Sequence, residues 1–280
     1  MTAATVRAGT VRTNGAELYY ERRGQQGPAV LCVTGASGDA GVLSSLADRL
    51  ADEYTVVTYD RRGNSRSPRP SGWTATFSGE QARDAAGLVE GLGLAPVTVF
   101  GSSGGAIIAL WLLLECPDLL AGAVLHEPPL IAALAEPEPA MAAIQSVFEP
   151  ALMSAGPRGG MEAFLRCAAG DAAFEALDPQ QRDRQLGNGE TFFGVELGAL
   201  ESALPDHDRL AAVTLPVRVL AGVDTAPLFA EAAAWVAARL GVAVTPSPGA
   251  HTPYFDRPDD FAATVRSCLR EVAGAATPAR

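Results

Sequence analysis

The sequence predicts an α/β domain with a mostly parallel sheet, flanking helices and an inserted block of helices. Short apolar runs with strand composition, such as 29–34, 55–59 and 97–100, alternate with segments that have helical spacing. From about residue 130 to residue 205 this alternation stops, and a helical pattern interrupted by proline and glycine replaces it. We therefore expect a continuous sheet domain carrying a helical cap over the carboxyl ends of its strands.

The chain is organised around residues 96–116, where a strand, a glycine cluster and a helix follow one another directly. Residues 97–100 are β-branched or aromatic, and the apolar run 106–114 is too long for another strand and ends before Pro117. The junction between them reads Gly101-Ser102-Ser103-Gly104-Gly105. This G-x-S-x-G pattern predicts a nucleophile elbow with Ser103 at its apex.

The chemistry of a serine nucleophile explains this pattern. A serine on a sharp strand-to-helix turn exposes its hydroxyl above the sheet, and glycines on either side let strand and helix pass closely. The N-terminus of the following helix directs free N–H groups at any oxyanion formed there. The alternative interpretation is a Gly/Ser turn that only connects strand to helix, in a chain with 29 glycines among 280 residues.

Composition limits the partners that the chain could have. The formal net charge of −11 and the pI near 4.8 disfavour nucleic acid and anionic membrane surfaces. The four cysteines are scattered without metal-ligand spacing, which fits free thiols in a reducing compartment. No signal-peptide pattern and no apolar run of membrane-spanning length is visible, so we expect a cytoplasmic protein without a membrane partner. The sequence leaves the oligomeric state open, a homodimer included.

Other segments fit the same plan. Residues 5–24 alternate like strands around an Asn14-Gly15 turn, and further strands are expected at 123–125, 216–221 and 242–245. Helices are expected near 79–92, 228–240 and 258–272. The polar segment 60–68 follows a buried strand, and its arginines and aspartate suggest a solvated ion-pair cluster with a structural role.

The order of these parts resembles that of α/β-hydrolase-fold enzymes along nearly the whole chain. The resemblance rests on the antiparallel start, the strand ending in Thr34-Gly35-Ala36, the D-R-R-G-N-S-R-S segment, the G-x-S-x-G elbow, the cap and a late His loop. It implies a core domain of residues 1–129 and 206–280, with a cap at 130–205. Many relatives have His-Gly where this chain has Thr34-Gly35, which leaves the geometry of that loop open.

The resemblance implies that an acid and a histidine follow the serine in that order. His251, in the loop before the last helix, is the expected base, whereas His207 fits a helix start or the surface and His126 precedes the favoured acid. Asp224 follows the strand predicted at 216–221 and is the favoured acid. Glu127, after the preceding strand, is the alternative. In their non-catalytic interpretations Asp224 caps a helix and Glu127 forms a salt bridge.

Two further sets of site residues are expected. By resemblance, the backbone N–H groups of Ala36 and Gly104 form the oxyanion hole. The cap segment contains apolar residues between its glycine and proline joints, and Phe148, Phe192 and Phe193 are the candidates for the substrate pocket. The alternative is that these phenylalanines pack only the cap's own core.

These observations predict a serine hydrolase that needs no cofactor and no metal. Its substrate would be a carboxylic ester, lactone or thioester of a small, hydrophobic molecule. Within the same fold the alternatives are a haloperoxidase-like perhydrolase, a C–C bond hydrolase, and a cyclase or dehydratase of secondary metabolism. A ligand-binding receptor that uses the pocket for recognition is the alternative from another class.

Overall fold

A computed structural model describes residues 5–201 and 204–276 of the chain. Within these residues eight strands form a single sheet. The strands are β1 Arg7–Thr13, β2 Ala16–Arg23, β3 Ala29–Val33, β4 Thr55–Tyr59, β5 Val97–Ser102, β6 Leu120–His126, β7 Val217–Gly222 and β8 Val244–Ser247.

The strand order is β1-β2-β4-β3-β5-β6-β7-β8, and every pairing from β4 to β8 is parallel. Strands β1 and β2 form the antiparallel hairpin expected from Asn14-Gly15. Asn14 and Gly15 have φ of 47° and 74°, the left-handed conformation that a two-residue hairpin turn requires. The mostly parallel sheet predicted from the sequence is confirmed.

The helices flank the sheet or lie between β6 and β7. In chain order they are α1 Ser44–Leu50, α2 Ser78–Gly91, α3 Gly104–Glu115, α4 Pro137–Ala169, α5 Asp171–Glu175, α6 Pro179–Gly187, α7 Gly189–Thr191, α8 Leu197–Glu201, α9 His207–Ala211, α10 Pro227–Arg239, α11 Pro253–Asp256 and α12 Pro258–Ala276. A π-helix, Phe192–Glu196, joins α7 to α8.

Both faces of the sheet are buried, which explains why its central strands read as continuous apolar runs. Residues of α2, α3 and α10 pack on one face, and residues of α1 and α12 pack on the other. The α3 run from Ala106 to Leu110 is fully enclosed because this helix lies over the middle of the sheet. Each large apolar side chain buried there contributes about 1.5–3 kcal/mol.

Helices α4–α9 lie between β6 and β7 in the chain, and α4–α8 fall within the predicted cap. Helix α4 bends at Gly156, whose φ of 70° and ψ of −169° interrupt the helical backbone. The predicted cap boundaries, 130 and 205, remain predictions, and residues 202 and 203 lie outside the described part. Among the described residues, no helix combines the length and apolar character that a membrane span needs.

Candidate active site

Ser103 lies between β5 and α3 in a strained backbone conformation, with φ of 56° and ψ of −131°. A non-glycine residue held in such a region costs on the order of 1–3 kcal/mol, and such strain clusters at functional sites. The turn is possible because Gly105 lacks a side chain. A Cβ there would lie 2.1 Å from the carbonyl oxygen of Val33 on the neighbouring strand.

The loop after β3 lies directly against this serine. A Cβ on Gly35 would come within 3.1 Å of both Ser103 Oγ and the backbone nitrogen of Gly104. Glycine is therefore required for the close approach of this loop to the elbow. Ala36, the next residue, lines the same cavity as Ser103 and Gly104. The two residues expected to supply the oxyanion hole thus border one space with the nucleophile candidate.

His251 lies in the loop between β8 and α11 and lines the same cavity as Ser103. Its Nδ1 lies 2.5 Å from Glu127 Oε2, and the other carboxylate oxygen of Glu127 accepts a hydrogen bond of 2.7 Å from the Gly222 N–H. The structure therefore joins His251 to the acid that follows β6, which the sequence analysis gave as the alternative.

The favoured assignment of Asp224 as the partner of His251 is wrong. Asp224 lies two residues beyond the end of β7, and its side chain is 62% exposed, with Arg257 Nη2 at 3.9 Å. The physical reason is the position of the strands. Strand β6 pairs directly with β5, so a residue at its carboxyl end lies next to the elbow, whereas β7 is one strand further away.

The environment of Glu127 keeps its carboxylate charged. Burial alone would raise the pKa of this carboxyl group, but hydrogen bonds from His251 and Gly222 outweigh it and hold the pKa below its ordinary value. Glu127 has a φ of 47° and is fully buried, so its position is tightly constrained. Because an ionised carboxylate can only accept, Nδ1 of His251 must donate, and Nε2 of the neutral ring is left as an acceptor.

Two aromatic rings hold the His251 region in place, and Phe229 is the one that the sequence analysis missed. Phe229, in the first turn of α10, stacks on the imidazole with ring centroids 3.7 Å apart and planes 11° apart. Behind His251 lies His126, fully buried, with its Nδ1 3.0 Å from Ser102 Oγ. Burial lowers the pKa of His126 to about 3, so that ring is neutral. The sequence signal for Phe229 is its position in the first turn of the helix that follows a strand, because such residues lie near the carboxyl edge of the sheet.

The cavity in front of Ser103 and His251 has a volume of about 510 Å³ and a mostly apolar wall. Phe192 lines it, as expected, whereas Phe148 and Phe193 are absent from its wall. Phe148 is buried and contacts Phe193 in a tilted arrangement with 4.8 Å between ring centroids, so this pair packs the cap's own core. Further apolar wall residues from the cap and from α10 are Met141, Ile144, Val147, Phe164 and Leu228.

The arginine-rich segment after β4 is buried, so the predicted solvated ion-pair cluster is wrong. Asp60, Arg61 and Arg62 are each less than 5% exposed. Arg61 forms two contacts, of 2.5 and 2.8 Å, with the carboxylate of Glu196 in the π-helix of the cap. The same guanidinium donates to the carbonyl of Gly35 at 2.8 Å. Arg61 therefore links the loop beside the nucleophile to the cap.

Further polar contacts join the core to the cap, and together with the Arg61–Glu196 pair we call them the polar seam. Asn188 Oδ1 accepts from the Ser65 N–H at 2.6 Å, and Arg184 pairs with Asp39 at 2.9 Å. Thr191 donates to the carbonyl of Gly63 at 2.6 Å. Buried charged pairs contribute little net stability, but removing one partner is costly because the other is left unpaired. These contacts fix how the cap is seated over the elbow.

Comparison with known proteins also indicates an α/β-hydrolase fold. A family model described as alpha/beta hydrolase fold matches residues 28–149. The chain is 40% identical over 127 residues to an uncharacterized hydrolase, YraK, of Bacillus subtilis, an alignment that spans 45% of this chain and 46% of that relative. It is 28% identical over 263 residues to a zearalenone hydrolase of Bionectria ochroleuca, covering 90% and 93% of the two chains.

A thermophilic esterase from Thermogutta terrifontis superposes with a TM-score of 0.73 and 25% identity, over 95% of this chain and 99% of the esterase. The sheet order, the elbow and these matches show that the chain has the α/β-hydrolase fold. The hydrolase names of these relatives support an enzyme.

Proposed function

We propose that the chain is a cofactor-independent serine hydrolase that cleaves a carboxylic ester or lactone of a small, hydrophobic molecule. One observation carries this proposal: the contact of 2.5 Å between His251 and Glu127, at a cavity that is also lined by a serine held in a strained elbow. A histidine that is oriented by a carboxylate and can reach a serine hydroxyl is the arrangement that activates the hydroxyl for acyl transfer.

In the proposed reaction Ser103 Oγ attacks the carbonyl carbon, and Nε2 of His251 takes the hydroxyl proton. Glu127 holds the imidazole through Nδ1 and stabilises the imidazolium that forms. The N–H groups of Ala36 and Gly104 stabilise the negative oxygen of the tetrahedral intermediate. His251 then returns the proton to the leaving alcohol, and a water molecule, deprotonated by His251, releases the acid from Ser103.

The wall of the 510 Å³ cavity supports a hydrophobic substrate. Phenylalanine, methionine and aliphatic side chains form most of this wall, and such a surface binds apolar groups by removing them from water. Two relatives similar over at least 90% of this chain are named zearalenone hydrolases, and zearalenone is a lactone. Lactones with a bulky apolar body are therefore included among the proposed substrates.

The test is hydrolysis of p-nitrophenyl butyrate and of an apolar lactone by purified protein, with Ser103→Ala beside it. Wild type should turn over at least one of these substrates, and Ser103→Ala should reduce kcat by about 10⁴-fold or more. Ser102→Ala is the matched control, because the hydroxyl of Ser102 is directed at His126 instead of the cavity. Equal activity of wild type and Ser103→Ala would contradict the proposal.

A further inference from the structure

Gln185 on α6 carries a fully buried amide. Its Nε2 and Oε1 atoms form no hydrogen bond with the residues that the structure describes, although the side chain is 0% exposed. Polar groups in protein interiors are nearly always paired, since burying an unpaired amide is costly. An apolar side chain of the same size would fit this position better if packing were its only role.

The polar neighbours of Gln185 already attach α6 to the core. Arg184 pairs with Asp39 at 2.9 Å, and Asn188 donates to Ser65 Oγ at 2.8 Å. The seating of the helix therefore does not depend on Gln185. This leaves its amide free to serve a group that enters from outside the fold.

Gln185 is one of the residues that line a small second chamber beside the nucleophile. This chamber has a volume of about 50 Å³, enough for a substituent of a few heavy atoms. Ser103, Ala36 and His251 line both this chamber and the large apolar cavity. The two spaces thus meet at the site of the proposed reaction. The first is a large apolar cavity, and the second is a small chamber that Gln185 helps to line.

We propose that this chamber is a subsite for the short arm of the substrate, and that Gln185 recognises a hydroxyl group on that arm. The inference rests on the proposed function, because an ester has two arms that diverge from the carbonyl carbon bound at Ser103. A hydroxyl both donates and accepts, so it can satisfy the Oε1 and Nε2 atoms of one amide. The bulky apolar arm occupies the 510 Å³ cavity.

The kinetic test uses two pairs of esters whose short arms differ only by OH against CH₃. One pair is 2-hydroxyethyl and propyl 4-phenylbutanoate, and the other is 3-phenylpropyl glycolate and propanoate. For each pair the kcat/KM ratio is compared between wild type and Gln185→Met, so that the intrinsic reactivities of the esters cancel. We expect the ratio to fall about tenfold in one pair, the effect of one or two hydrogen bonds.

Gln180→Met is the matched control, since Gln180 lies on the same helix and is exposed. Gln180→Met should leave both kcat/KM ratios unchanged. Gln185→Met should keep its kcat/KM for the CH₃ member of each pair within about threefold of the wild-type value. Melting temperature separates recognition from a structural role. Gln185→Met should melt about 2–4 °C higher than wild type, because it removes a buried unpaired amide.

Binding to Ser103→Ala makes the result independent of turnover. Calorimetry with N-(2-hydroxyethyl)- and N-propyl-4-phenylbutanamide, and with N-(3-phenylpropyl)-glycolamide and -propanamide, should give a Kd ratio that Gln185→Met reduces about tenfold in one pair. An unchanged ratio in both pairs overturns the subsite, even where ester hydrolysis is confirmed. A reduced ratio in a protein without esterase activity retains the subsite and rejects the proposed reaction.

Discussion

The carboxyl ends of the core strands and the cap helices line the same cavity, but they contribute different kinds of residue. The core end holds Ser103, His251 and Glu127, whose polar atoms are fixed by strand ends, a strained turn and buried hydrogen bonds. The cap contributes apolar side chains such as Phe164 and Phe192, and it also contributes Gln185 to the adjoining small chamber.

This difference separates the groups that carry out the reaction from the groups that select the substrate. Groups that move protons must be held at fixed distances, and parallel strand ends supply that rigidity. Groups that select a substrate need shape and size, which a helical cap can vary without disturbing the strands. Core substitutions should therefore lower kcat, whereas cap substitutions should change the choice of substrate. The polar seam through Arg61 and Glu196 connects the two regions and should affect stability.

The largest expected effect comes from the core. Glu127→Gln should lower kcat by about 10⁴-fold without loss of the fold, because an amide neither favours the working tautomer of His251 nor stabilises its imidazolium. Steady-state kinetics on an activated ester measure the loss, and circular dichroism checks folding. Asp224→Asn is the control, since that carboxylate is exposed, and it should change kcat less than threefold. If Asp224→Asn instead loses activity and Glu127→Gln keeps it, the acid is Asp224, beyond the end of β7.

The second effect concerns the seam. Glu196→Gln should lower the free energy of unfolding by about 3–5 kcal/mol, because it leaves the buried Arg61 guanidinium without its counter-charge. Urea unfolding measures this loss. Glu190→Gln, on the exposed side of α7, should stay within about 0.5 kcal/mol of wild type. Similar stability of both variants would mean that the pair does not hold core and cap together.

The third effect is acid sensitivity from the core. The pKa of His126 lies near 3 in the folded chain because the ring is buried, against about 6.5 when unfolded. Between these values the unfolded chain binds a proton that the folded chain does not, so His126 lowers stability by up to about 1.4 kcal/mol for each pH unit below 6.5. His126→Gln should flatten this slope, and the exposed His207→Gln should not. Equal slopes in all three proteins would reject the burial of a neutral ring.

The smallest effect belongs to the cap. Phe192→Ala should change the ratio of kcat/KM between butyrate and octanoate esters by about tenfold, because it enlarges the cavity next to Phe164. Phe193→Ala is the comparison variant, since this ring contacts Phe148 and Phe192 but does not itself line the cavity. It should lower the melting temperature with little change in that ratio. Selectivity that changes equally in both variants would contradict the assignment of the wall.

Much of the core could be predicted from the sequence because it depends on local patterns. The elbow at Ser103 needs glycines at fixed offsets, and the buried parallel strands need continuous apolar runs, so both features are visible in a single chain. The hairpin at Asn14-Gly15 was predictable for the same reason, since few residues adopt its left-handed turn. The catalytic role of the expected residues remains a proposal.

The errors arose where the answer depended on packing between distant segments. Glu127 and Asp224 both follow strands and both precede His251, and only the order of strands across the sheet distinguishes them. The burial of Arg61 depends on Glu196, 135 residues further along the chain. Gln185 carries no local sequence signal, because its distinguishing feature is a buried amide that has no partner among the described residues.

The most direct test of the central claim is the rate at which a fluorophosphonate labels the protein, followed by intact-mass spectrometry and peptide mapping. The account predicts a single adduct on Ser103, formed at the wild-type rate in Asp224→Asn and at least 10³-fold more slowly in Glu127→Gln. An adduct on another residue, or equal labelling rates in wild type and Glu127→Gln, would contradict a Ser103 nucleophile activated through His251 and Glu127.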